Sequence, residues 1–160
     1  SGILLDVGKL QKEIKQKKPF RSRNQEAVLA IVRTADVLKR RWRVAEEFGV
    51  TGQQYNVLRI LRGAQPEPLP TMEIASRMIE NTPGITGLLD RLEEKGLVSR
   101  VRDADDRRCS RCSITQKGMK LLAEMDATIN RAEEEALSML AAADVERLIE
   151  ILDAVREPRP

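Results

Sequence analysis

Apolar side chains recur at steps of three and four residues along most of this 160-residue chain, which is the spacing of amphipathic α-helices. Pro19 and Gly49 are helix-ending residues, and they bound the first two of these stretches. The pattern predicts a short helix over residues 4–17, longer helices over 24–47 and 116–139, and a final helix over 143–156.

The segment between the second and third of these helices has shorter elements. Thr51 and Gln54 have the spacing of a capping box, which predicts a helix that begins after Thr51 and ends at Gly63. Its inward residues are predicted to be Tyr55, Leu58 and Leu61. The three prolines in residues 66–70 then predict a loop.

Two helices joined by a tight turn are predicted next. Thr71 is expected to cap the first, whose inward residues are Ile74, Ala75 and Met78. Thr82 is expected to cap the second, with Pro83 as its first helical residue and Gly96 as its end. The apolar stripe of this second helix consists of Ile85, Leu88, Leu89 and Leu92. This organisation is typical of a helix-turn-helix, in which the second helix is the recognition helix.

A β-hairpin is predicted directly after the recognition helix. Residues 97–102 alternate between apolar and polar like a half-exposed strand, and residues 109–115 return as a second strand. The polar residues 103–108 form the predicted tip, and Thr115 caps the following helix. A hairpin in this place is a wing. The predicted fold is therefore mainly α with a small β-hairpin wing, a winged helix-turn-helix with additional N- and C-terminal helices.

The composition excludes several kinds of catalytic and metal site. The chain has no histidine, which removes histidine bases, Ser-His-Asp triads and histidine-ligated metals. The two cysteines, Cys109 and Cys112, are too few for a disulfide framework or a four-thiolate zinc site. The acidic run at residues 103–106 begins like a calcium loop, but Arg107 stands at the fifth position. We predict no enzymatic activity, no cofactor and no bound metal.

Charge is distributed unevenly. Residues 1–48 carry twelve Lys and Arg against six Asp and Glu, whereas residues 116–160 carry six against ten. The two ends could therefore attract each other, within one chain or between chains. Residues 49–115 are nearly neutral, so a nucleic-acid site there must depend on where individual arginines lie. No apolar run approaches ~18 residues, and we expect a cytoplasmic protein with no membrane partner.

Residues 82–118 resemble the MarR family of bacterial winged-helix regulators. The resemblance rests on the helix opening at residues 82–86, the stretch 88–98, the Asp-x-Arg pattern of the wing tip, and the Ile-Thr pair that starts the next helix with Lys117 and Gly118. The order of helices on both sides also matches, so the resemblance covers nearly the whole chain.

The resemblance implies a single MarR-like domain that acts as a homodimer. Residues 4–48 and 119–156 would be dimerisation helices, and residues 51–118 the DNA-binding lobe. Two lobes related by a two-fold axis would place their recognition helices roughly 34 Å apart, matching a pseudo-palindromic operator in double-stranded DNA. The implied function is a transcriptional regulator, a repressor that a small aromatic or phenolic ligand relieves.

The resemblance also assigns DNA-binding residues. Small residues at the start of the recognition helix let it approach the major groove, and Arg91 would contact a base or the backbone; the alternative for Arg91 is an ion pair with Asp90 or Glu94. Arg108 at the wing tip would enter the minor groove, braced by Asp106. Many family members have arginine where this chain has Gly87, so a base-reading side chain is missing there. The predicted DNA-binding residues are Thr82, Pro83, Gly84, Thr86, Gly87, Arg91, Arg107 and Arg108.

The sequence leaves two possible roles open for several other polar and aromatic residues. Arg100, Arg102 and Arg111 are phosphate contacts or solvated charges. The cysteines are small strand residues, or Cys109 is an activated thiol beside the wing arginines. The resemblance to the MarR family implies an effector pocket between the dimerisation helices and the DNA-binding lobe, the alternative being ordinary core. Its predicted lining is Trp42, Phe48, Gln54 and Tyr55.

Two further functions stay open on the sequence alone. The chain could bind DNA without responding to any effector, and a ligand that loosens DNA binding would argue against this. It could also be a helical adaptor for other proteins. The arginine-rich wing argues against the adaptor, whereas binding that ignores salt would favour it.

Overall fold

The computed structural model describes residues 8–102 and 110–157, in two compact units that divide between Arg41 and Trp42. The first unit contains α1 (Lys9–Glu13) and α2 (Arg23–Arg41). The second contains a 3₁₀ helix, five α-helices and three strands. In chain order these are the 3₁₀ helix (Trp42–Phe48), α3 (Gly52–Ala64), β1 (Leu69–Pro70), α4 (Thr71–Arg77), α5 (Ile85–Glu94), β2 (Val98–Arg102), β3 (Ser110–Ile114), α6 (Gln116–Leu137) and α7 (Ala142–Arg156).

The first predicted helix is shorter than its periodicity indicates. The described part of residues 4–17 is helical only from Lys9 to Glu13. Lys15 then takes a positive φ of 53°, a conformation that no helix interior accepts. The Gln11 side chain donates to the Gln16 carbonyl and closes this turn. The chain therefore leaves the helix before the Lys-Lys-Pro sequence that we expected to end it.

The predicted helix over 24–47 is α-helical only as far as Arg41. Residues 42–48 form the 3₁₀ helix, and Gly49 ends it with a φ of +77°, as expected of a helix-stopping glycine. Apolar positions three apart suit a 3₁₀ helix as well as an α-helix, so periodicity could not separate the two. Packing favours the tighter helix, because it contacts α6 and buries Ala45 completely.

The core of the second unit is aliphatic. The predicted inward residues of α3 and α5 are all buried, and α6 closes the core from the other side. Arg62 of α3 also donates to both carboxylate oxygens of Asp126 on α6, at 3.0 and 2.9 Å. The largest fully buried side chains are Leu58, Leu61, Ile74, Leu89, Leu92, Leu122, Met125 and Ile129.

A three-stranded antiparallel sheet has the order β1-β3-β2. β2 and β3 form the predicted hairpin, with Val98 opposite Ile114. The predicted loop over residues 66–70 is wrong for its last two residues, because Leu69 and Pro70 form β1 and pair with Cys112 and Arg111. A proline cannot donate to a strand ladder, but it is tolerated in an edge strand, and β1 is one.

Two of the four predicted threonine caps form. Thr51 and Gln54 make the complete capping box, and the Thr115 hydroxyl accepts a bond from the Gly118 amide at 3.1 Å. Thr71 caps nothing, because α4 begins at Thr71 itself and its hydroxyl lies 3.2 Å from that of Ser110. Thr82 is not a cap either. It donates to the Glu80 carbonyl at 3.0 Å, and α5 begins only at Ile85.

Helices α4 and α5 followed by the β2–β3 hairpin confirm a winged helix-turn-helix. Residues 103–109 at the predicted wing tip lie outside the described residues, and so do Arg107, Arg108, Asp106 and Cys109. No helix in the described ranges is long and apolar enough to cross a membrane.

Candidate nucleic-acid interface

The recognition helix, α5, has one apolar and one polar face. Ile85, Leu88, Leu89 and Leu92 are buried, which confirms the predicted stripe. The opposite face exposes Thr86, Gly87 and Arg91. The helix therefore presents a hydroxyl, a bare backbone and a guanidinium to solvent.

A groove of about 380 Å³ runs along the start of this exposed face. An added Cβ at Gly84 or Gly87 would meet nothing within 4 Å, so packing requires glycine at neither position. Because these two glycines have no side chains, nothing projects from the backbone at their positions, and another molecule can approach it closely. The groove is lined by Gln53, Thr82, Pro83, Gly84, Gly87, Leu88 and Arg91.

Arg91 has neither of the ion-pair partners considered for it. Asp90 pairs with Arg100 instead, and Glu94 makes no ion pair with Arg91 in the described part of the chain. Arg91 is exposed at the edge of the groove. Its five donors are available to a ligand.

Arg100 connects the wing to the recognition helix. Its Nε donates to a Glu93 carboxylate oxygen at 2.9 Å, and a terminal nitrogen pairs with both Glu93 and Asp90. The two carboxylates, Glu93 foremost, raise the pKa of Arg100 above its ordinary value. With a side chain only 20% exposed and paired with two carboxylates, Arg100 is not the solvated charge that was one of its two interpretations. Arg102 and Arg111 are exposed on β2 and β3.

Two lysines hold the turn between α5 and β2. Lys95 donates to the Gly49 carbonyl at 2.6 Å and to the Gln54 side chain at 3.3 Å. Lys117 donates to the Lys95 carbonyl at 2.7 Å. Sequence reasoning missed both roles. The sequence signal for this turn was Gly96, which has a φ of +70° and ends the recognition helix.

The four predicted effector-pocket residues have different environments. Phe48 lines a cavity of about 380 Å³ together with Lys95, Lys117 and Lys120, and Gln54 lines a separate cavity of about 370 Å³. Tyr55 is buried in the core, where desolvation raises the pKa of its phenol, and the Arg59 guanidinium lies 5.9 Å from its ring centre. Trp42 is half-buried at the start of the 3₁₀ helix.

Cys112 occupies a core position in the sheet. It is fully buried, and burial raises the pKa of its thiol. The thiolate is the reactive form of cysteine. The native environment therefore lowers the reactivity of Cys112 in two ways, because it blocks access of reagents and disfavours ionisation of the thiol. This fits the interpretation of Cys112 as a small strand residue.

We expect Cys112 to resist thiol reagents until the protein unfolds. In a Cys109→Ser variant, an aromatic disulfide reagent should label no thiol of the native protein in the time that labels one thiol in denaturant. Absorbance of the released thiolate measures both rates. Labelling at the same rate with and without denaturant would contradict the burial of Cys112.

Comparison with known proteins gives the family. Residues 50–110 match the model of the MarR family. A MarR transcription factor from Planctomyces limnophilus is 38% identical with a TM-score of 0.66, over 84% of this chain and 98% of that one. The PcaV regulator from Streptomyces coelicolor, solved with its natural ligand, is 26% identical with a TM-score of 0.61, over 66% and 74% of the two chains.

A lower-identity structure shares the fold. MepR from S. aureus, solved as a DNA complex, is 24% identical with a TM-score of 0.70, over 81% of this chain and 94% of that one. At this level of identity the likeness shows a common fold. The Planctomyces limnophilus relative is closer and matches over nearly its whole length, and its similarity carries the assignment. The chain belongs to the MarR family of transcription regulators.

Proposed function

We propose that this regulator is a homodimer that binds a pseudo-palindromic operator and represses transcription until a small ligand releases it. The observation that carries the DNA-binding part is the exposed face of α5. There Arg91, which has no ion-pair partner in the described part of the chain, lies beside a groove that is lined by Gly84 and Gly87. The arginines of the wing would add minor-groove and phosphate contacts. The predicted DNA-binding residues keep these roles as proposals.

The dimer is supported by apolar surface on the terminal helices. Within the described residues, α2 and α7 contain no buried side chain. Val28 and Val32 of α2 are 59% and 62% exposed, and Val155 of α7 is 62% exposed. Apolar faces of this extent are covered in stable proteins, and a second copy of the chain is the partner we propose.

The effector is supported by a cavity and by two relatives. PcaV was solved with its natural ligand, and a 17% identical protein, BpsR from Bordetella bronchiseptica, is described as regulated in DNA binding by 6-hydroxynicotinic acid. The cavity beside Phe48 combines the apolar Leu97 and Leu121 with three lysines and Glu124, and the ammonium groups of Lys95 and Lys117 already donate to backbone carbonyls. This lining suits a small ligand with an apolar body and an anionic group that pairs with Lys120. A ligand there would act only if it bound the DNA-competent and incompetent states unequally.

Gel-shift titration tests the proposal. The probe is the intergenic DNA beside the gene, the competitor is random duplex, and light scattering establishes the molar mass of the free protein. We expect a dimer that binds selectively and loses affinity as salt rises. The Arg108→Ala variant should bind about tenfold more weakly, because a minor-groove arginine is lost.

The outcomes separate the parts of the proposal. Selective binding that Arg108→Ala leaves unchanged would contradict the wing assignment and keep the regulator. A folded dimer without selective binding to any duplex, including a randomised library, would contradict DNA-binding regulation and favour the adaptor. A monomer that binds DNA selectively would contradict the dimer alone.

A further inference from the structure

Gln53 lies outside the helix-turn-helix, yet it shares the groove on the recognition helix. It stands in the first turn of α3 and lines the same groove as Gly84, Gly87 and Arg91. Its neighbour Gln54 is buried and is used by the capping box. Gln53 is exposed, and its amide has no hydrogen-bond partner among the described residues.

Several polar side chains at the opposite, C-terminal end of α5 have structural partners. Arg100 is held by Asp90 and Glu93, Lys95 by Gly49 and Gln54, and Lys117 by the Lys95 carbonyl. Gln53 and Arg91 differ from these side chains, because both line the groove and neither side chain has a hydrogen-bond or ion-pair partner among residues 8–102 and 110–157. Base recognition needs polar groups of this kind, since a group already paired inside the protein cannot also satisfy a base edge.

The chemistry of the pair matches the major groove. A glutamine amide forms two hydrogen bonds with adenine, through N6 and N7, and an arginine forms two with guanine, through O6 and N7. The absence of side chains at Gly84 and Gly87 leaves room for base edges between the two helices. We propose that Gln53 is a specificity-determining residue, which reads an adenine in the half-site in which Arg91 reads a guanine.

This inference rests on the proposed DNA binding and adds a residue from a second helix to it. The experiment is selection of bound sequences from a randomised duplex library by the full-length wild-type protein and by Gln53→Ala, followed by affinity measurement on the selected operator. Gln116→Ala is the matched control, because Gln116 is also an exposed glutamine in the first turn of a threonine-capped helix.

We expect Gln53→Ala to lose the preference for adenine at one position of each half-site. Discrimination at that position should fall about tenfold, while the other positions, the affinity for random duplex and the results for Gln116→Ala stay unchanged. Equal weakening on every sequence, with the salt dependence unchanged because glutamine carries no charge, would make Gln53 a phosphate contact and overturn the proposal. An unchanged sequence preference would also overturn it. If the wild-type protein selects no sequence, the proposed function fails and this inference fails with it.

Discussion

Replacing Gly118 with alanine is expected to lower the free energy of unfolding by about 2–3 kcal/mol, although alanine is the better helix former. Gly118 lies in the first turn of α6, where that helix crosses the base of the wing. An added Cβ would lie 2.4 Å from the Leu97 carbonyl oxygen and 2.7 Å from Cγ1 of Ile114. The Leu97 carbonyl is backbone and already accepts the Thr115 amide at 3.1 Å, so it cannot move away cheaply.

Gly63→Ala provides a control of opposite sign. Gly63 lies near the end of α3, and an added Cβ there would meet nothing within 4 Å. Helix propensity alone then applies, and stability should rise by roughly 0.5–1 kcal/mol. Denaturant unfolding followed by circular dichroism measures both variants. A stabilised Gly118→Ala would show that α6 does not pack against the wing base as described.

The sequence predicted those elements whose signals are local. Periodicity identified the buried stripe of α5. The capping box and Gly63 gave the limits of α3 closely, and the Thr115 cap gave the start of α6. Sequence reasoning failed where a second contact, local for Thr82 and tertiary for Leu69, competes with the predicted structure. Thr82 looks like a cap, but its hydroxyl binds Glu80 and the helix starts later. Leu69 and Pro70 look like loop residues, but burial of Leu69 draws them into the sheet.

The candidate site also has features that the sequence predicts and features that depend on tertiary packing. Arg91 could be predicted from its place on the polar face of one helix. The absence of an ion pair between Arg91 and Asp90 could not be predicted. Asp90 pairs instead with Arg100, which lies ten positions later in a different element. Gln53 and Arg91 share a groove only because α3 packs against α5. Sequence spacing carries no signal for this contact.

Arg100→Met is expected to weaken operator binding on the order of 100-fold, because the recognition helix and the wing, which we propose contact DNA, lose their common brace. Arg100 holds β2 to α5 through Asp90 and Glu93, so its loss should let the wing and the recognition helix move separately. The cost in folding stability should be only about 1 kcal/mol, because the two carboxylates are 49% and 41% exposed and water screens the interaction. Gel-shift affinity and denaturant unfolding measure the two effects.

The Asp90→Asn, Glu93→Gln double variant distinguishes the brace from general electrostatics. If only the repulsion between carboxylates and phosphates matters, neutralising the two acids should strengthen DNA binding. If the two acids hold Arg100 in place, the double variant should instead bind the operator more weakly. Glu94→Gln is the matched control. It neutralises an exposed neighbour on α5 that makes no ion pair with Arg100, and it should leave binding unchanged or slightly tighter. If the double variant binds the operator more tightly than wild type, Arg100 does not act as a brace.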